Sequence, residues 1–96
     1  MTYNLEKNLE RQIISLAEKF GVEKIFLFGS RARGTNSERS DIDLAIIGGD
    51  YLSFALAVDE ETDTLLKFDV VNLDKKISPE LADEIFRDGV LIYEKV

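Results

Sequence analysis

The sequence contains no cysteine and no histidine. The first absence excludes disulfides, thiol nucleophiles and thiolate metal sites. The second excludes imidazole acid–base steps and His-based triads. No apolar run is long enough to span a bilayer, and the N-terminal MTYNLEKN shows no signal-peptide pattern, so a cytoplasmic protein without membrane association is expected. Repeats, low-complexity tracts and linkers are also missing. The 96 residues, 45% of them apolar, are expected to form a single domain over 1-96, with little room for a separate substrate-binding unit. Positive charge is scarce: the formal net charge is −7, which argues against direct nucleic acid binding. Any catalysis must rest on carboxylates, hydroxyls, Lys and Arg, backbone amides, or a hard cation such as Mg²⁺ or Mn²⁺ held by oxygen ligands.

What is present is concentrated in FGSRARGTNSERSDIDLAII, from Phe28 to Ile47. Gly29-Ser30 interrupts the apolar run Ile25–Phe28, which suits a buried strand. A short helical turn near Arg31-Ala32-Arg33 is expected next, ended by Gly34. Ile42, Leu44 and Ile46 alternate with Asp41, Asp43 and Ala45, a second strand. Upstream, Leu5, Leu9, Ile13, Leu16, Ala17 and Phe20 give a first helix, with Asn4 as N-cap and Gly21 as its stop. Downstream, Tyr51, Phe54, Ala55, Val58, Thr62 and Leu65 predict a second long helix after N-cap Asp50. Phe68 to Leu73 is a third strand. Ser78-Pro79 starts a helix with Leu81, Ile85 and Phe86 inward and Gly89 at its end. Val90 to Tyr93 is a fourth strand. The fold class is α/β (α+β), a mixed sheet of about four strands flanked by helices. The link between the first two strands is too short for a comfortable parallel crossover, so that pair is expected to be antiparallel.

Two carboxylates at i and i+2 of a strand share one face, about 6.5–7 Å apart along the chain. Asp41 and Asp43 can thus converge on one cation or bridge two. Asp69 interrupts the third apolar strand and is the best third carboxylate, because a charge placed mid-strand is costly to bury alone. Gly29 allows close backbone approach. Ser30 brings a hydroxyl, and the N–H groups of Ser30 and Arg31 open a helical turn suited to phosphate. Arg31 and Arg33 can neutralise phosphate charge. A capped strand-to-helix turn with solvated arginines is the plainer alternative.

Gly29-Ser30, ten residues, Asp41-hydrophobic-Asp43, then Asp69 between hydrophobics resembles the nucleotidyltransferase core of the DNA polymerase β superfamily. More narrowly, GSRARG followed by SDIDLAI is similar to the minimal nucleotidyltransferase (MNT) proteins, over nearly the whole chain. The resemblance implies the nucleotidyltransferase-type mixed sheet and a metal-dependent transferase. By resemblance, Asp41 and Asp43 bind two Mg²⁺ ions, Mn²⁺ being an alternative. Asp69 binds one ion and acts as general base, and these three acids are the catalytic and metal residues. Gly29 and Ser30 would hold the β- and γ-phosphates of an NTP, ATP being expected, with Arg31 and Arg33 at the basic positions of the nucleotide-binding motif. The implied role is transfer of NMP, expected to be AMP, to a hydroxyl on a HEPN-like helical partner protein, with the chain as antitoxin of an MNT/HEPN toxin–antitoxin pair. The alternatives are a non-catalytic nucleotide-binding antitoxin that masks its partner, or a small-molecule nucleotidyltransferase. The acidic run Asp59-Glu60-Glu61 with Asp63 is either a solvated helix face or a dock for a basic partner. Lys67, two residues before Asp69, is read as sharing its sheet face. An edge strand and apolar helix stripes leave room for a homo-oligomer.

Overall fold

A computed structural model describes residues 3–96. Its elements are α1 (Lys7–Lys19), β1 (Lys24–Phe28), α2 (Ser30–Arg33), β2 (Ile42–Ile47), α3 (Tyr51–Glu61), β3 (Phe68–Asn72), α4 (Pro79–Asp88) and β4 (Val90–Glu94). The strands form one mixed sheet in the order β3-β2-β1-β4. β1 is antiparallel to both β2 and β4, as the short β1–β2 link requires, while β2 and β3 run parallel with α3 as the crossover.

Strand alternation divides the side chains of β2 between two faces. Ile42, Leu44 and Ile46 are fully buried against Ile13 of α1, and Phe54 and Val58 of α3, in one apolar cluster. Asp43, Ala45 and Ile47 point to the other face, where α4 lies. That face is lightly covered. α4 has no buried residue, and a shallow apolar groove runs between Phe26, Ile47 and Leu73 of the sheet side and Ala82, Ile85 and Phe86 of α4.

Three expectations need correction. The α1 cap is Glu6, whose carboxylate accepts from Asn8 N at 2.6 Å, and not Asn4. Asn4 is instead drawn to α2, its backbone N–H donating to Arg31 O at 2.8 Å. α3 stops at Glu61, short of Leu65. There the Thr62 hydroxyl donates to Val58 O at 2.6 Å, the backbone turns extended, and Gln12 of α1 holds Asp63. The acids Asp59, Glu60 and Glu61 also sit at the negative end of the helix dipole, which opposes continuation. Leu65 is left fully exposed. In α4, Phe86 is 92% exposed and does not join Leu81 and Ile85, which are partly buried. Ser78 caps α4 as expected, accepting from Leu81 N at 3.2 Å.

Candidate active site

The site begins where β1 ends. Gly29 has φ +74° and ψ −157°, a backbone state that favours glycine. Phe28 pairs with Asp43 across the antiparallel ladder, so the Asp43 side chain comes to rest on Gly29. A β-carbon at Gly29 would stand 3.2 Å from Asp43 Cγ and collide with Asp43 Oδ2. The turn then tightens into α2: Ala32 N and Arg33 N donate to Gly29 O at 3.1 and 3.2 Å, and Thr35 N donates to Ser30 O at 2.9 Å. Gly34 closes it in the left-handed conformation. The N–H groups of Ser30 and Arg31 precede the first helical bond, that of Ala32 N to Gly29 O.

Asp41 stands one residue before β2 and is exposed. The bond from Ile42 N to Lys67 O, 2.9 Å, keeps the backbone extended there, so the same-face relation of Asp41 and Asp43 carries into the strand start. Asp43 and Asp69 are register partners in the parallel β2–β3 pair. Neighbouring strands lie about 4.8 Å apart, so these two carboxylates leave the same face side by side. Asp69 is exposed on the edge strand; Asp43 is partly buried. Burial, then the charges of Asp69, Asp41 and Glu84, push the Asp43 carboxyl up to about 6, with Arg33 acting in the opposite direction. No three acidic groups among the described residues form a closed ligand set. Their backbone positions nonetheless put three oxygen donors on one face, a composition that suits a hard divalent cation.

The two arginines have different surroundings. Arg31 is 6% exposed, and its guanidinium is bonded to backbone carbonyls. Arg33 is exposed, and its Nη1 donates to Asp88 Oδ2 of α4 at 2.8 Å. Arg87 also reaches Asp88, at 3.3 Å, and the two cations hold the Asp88 carboxyl below its usual range. Lys67, read beside Asp69, lines a cleft with Arg39, Asp41, Leu65 and Leu66.

Glu84 and Asp88 were not singled out in the sequence. They are one helical turn apart on α4, and nothing local ties Asp88 to Arg33 or Glu84 to Asp43. Only the packing of α4 over the Asp43 face of the sheet brings them in.

The sequence family described as "Polymerase beta, Nucleotidyltransferase" matches residues 11–96. A Methanocaldococcus jannaschii protein named as a candidate protein adenylyltransferase is 34% identical over 94% of this chain and 99% of its own. Among solved structures, a chain of the MntA–HpeT toxin–antitoxin complex superposes with a TM-score of 0.70 at 26% identity, over 96% of this chain and 75% of that one. A chain from a toxin–antitoxin structure solved with AMP-PNP gives 0.66 at 28% identity, over 90% and 73%. A chain described as a candidate minimal nucleotidyltransferase gives 0.66 at 26% identity, over 88% and 89%. The mixed four-stranded sheet, the Gly29 turn seated on Asp43 and a family match over residues 11–96 agree: the chain belongs to the polymerase β nucleotidyltransferase family, as one of its minimal members, and is a nucleotidyltransferase.

Proposed function

We propose that the protein transfers AMP from ATP to a hydroxyl on a HEPN-like helical partner protein, and serves as the antitoxin of that pair in the cytoplasm. The observation that supports this most is the position of Asp43. It sits against the Gly29 turn, beside Asp69 in register and two residues from Asp41. A carboxylate so crowded by like charge gains from a cation, and the all-oxygen donor set fits Mg²⁺. Among the described residues no helix is long and apolar enough to cross a membrane. The relatives include a candidate protein adenylyltransferase and toxin–antitoxin chains, which supports a protein acceptor.

Asp41 and Asp43 are the residues that would hold two Mg²⁺ ions, with Asp69 on one of them. When bound, the ions neutralise triphosphate charge and stabilise the attacking and leaving oxygens. The chain's own groups supply the rest. Gly29 lets the backbone approach the phosphates, the amides of Ser30 and Arg31 donate to the β- and γ-phosphates with the Ser30 hydroxyl, and Arg33 adds positive charge. Asp69, exposed at the sheet edge, accepts the proton of the incoming hydroxyl. The hydroxyl oxygen bonds to the α-phosphorus, the bond from that phosphorus to the bridging oxygen breaks, and pyrophosphate leaves.

The test is incubation of the protein with Mg²⁺, each labelled NTP and a HEPN-like helical protein as the acceptor. Label from ATP on that protein, lost in Asp41→Ala, supports the proposal. A complex that neutralises the partner without label, in wild type and Asp41→Ala alike, would establish masking instead.

A further inference from the structure

Arg31 is the one buried charged side chain among the described residues. Its Nε and Nη2 donate to Ser40 O at 3.1 and 3.0 Å, Nη2 also donates to Glu38 O at 3.3 Å, and Nη1 donates to Asn4 O at 3.4 Å. Four of the five N–H donors of a guanidinium are thereby occupied. All of these acceptors are backbone carbonyls. The backbone of Arg31 completes the tie, its carbonyl accepting from Asn4 N at 2.8 Å. One side chain thus joins the N-terminal segment, the phosphate turn and the end of the loop that delivers Asp41. A buried cation is costly unless its donors are met, and here they are met only while those segments keep their spacing.

The geometry points to Arg31 as a positioning residue: its side chain fixes the distance from the Gly29–Ser30 turn to Asp41 and Asp43, and does not contact phosphate. Arg33, exposed two residues further on, is the arginine left for the nucleotide. The roles of turn and acids rest on the proposed transferase function; the clamp itself does not. Loss of the fork leaves the 34–41 loop without its anchor to α2, so Asp41 no longer holds one place relative to the turn. Lysine keeps the charge but, as a single ammonium, cannot reproduce the planar fork.

Hydrogen exchange and Mn²⁺ titration on wild type, Arg31→Met, Arg31→Lys and Arg33→Met test this. Loss of one or two charge-assisted bonds is worth about tenfold or more in an equilibrium. Amides of residues 35–41 should therefore exchange about tenfold faster in both Arg31 variants, and Mn²⁺ without nucleotide should bind about tenfold more weakly. Arg33→Met should leave the exchange of residues 35–41 unchanged, and should raise the NTP KM. If Arg31→Met is too unstable to study, Arg31→Lys carries the same exchange comparison. Unchanged exchange in residues 35–41 of a folded Arg31 variant, with only the NTP KM raised, would overturn the proposal. Failure of wild type to bind Mn²⁺ or transfer label would count against the proposed function, while the exchange result would still decide the clamp.

Discussion

The carboxylate of Asp43 occupies the space that a side chain on Gly29 would need. The Gly29–Ser30 turn and Asp43 are therefore in contact within the fold itself. Gly29→Ala forces the Asp43 carboxylate aside and places alanine at positive φ. We expect a loss of about 1–3 kcal/mol in urea denaturation and loss of nucleotide transfer. Gly49→Ala is the comparison: its β-carbon would meet backbone at Val22 N, 2.6 Å, and Phe20 O, 2.7 Å, in a different turn. It should cost stability without removing the effect of Mg²⁺ on melting.

Metal-free stability should fall as pH rises from about 4 to 6. Unfolded Asp43 ionises near the ordinary carboxyl value of about 4, whereas the folded group holds its proton to about 6. Between those values the native state binds more protons than the unfolded state, so stability declines with pH and is constant above. After allowance for the solvent around a partly exposed group, the difference is on the order of 1–2 kcal/mol. Asp43→Asn should remove this slope, seen as the difference between wild-type and variant urea midpoints at pH 4.5 and 7.

Mg²⁺ or Mn²⁺ should raise the melting temperature of the wild type, and EDTA should reverse the rise. Saturation a hundredfold above Kd stabilises by about 2.7 kcal/mol, which is several degrees or more in a domain this small. Asp41→Asn and Asp43→Asn should each stabilise the metal-free protein by relieving like-charge crowding, and should abolish the metal effect. Equal melting of wild type and both variants, with and without metal, would exclude the cluster.

Asp88 competes for Arg33. If Arg33 serves phosphate, removing the carboxylate charge frees it. Asp88→Asn should lower the NTP KM about two- to fivefold, the scale of a single ion pair near the surface. Steady-state kinetics across NTP concentration provides the measurement, with Arg33→Met shifting KM upward.

Features set by neighbouring residues were legible in the sequence. The strand period of Ile42, Leu44 and Ile46 put Asp43 on the opposite face, and the brief link after Phe28 made β1 and β2 antiparallel. Ser78-Pro79 marked the start of α4. The approach of Asp69 to Asp43 followed from two strand acids in an α/β order, although their shared register needed the parallel β2–β3 pairing. Where distant contacts decide, local pattern was silent or misleading. Gln12 and Thr62 end α3 before Leu65, the lightly covered face leaves Phe86 outward, and Asn4 goes to Arg31 and leaves capping to Glu6. GSRARG likewise gave no sign that Arg31 faces inward and Arg33 outward. That division comes from Ser40, Glu38 and Asp88.

The most direct measurement is transfer of label from α-labelled ATP to the proposed HEPN-like helical partner, in Mg²⁺, by wild type and by Asp41→Ala, Asp43→Ala and Asp69→Ala. Labelled partner with wild type alone, with pyrophosphate released in equal amount, is the predicted result. Partner that stays unlabelled with wild-type protein and every NTP, while still binding and being neutralised, would contradict it.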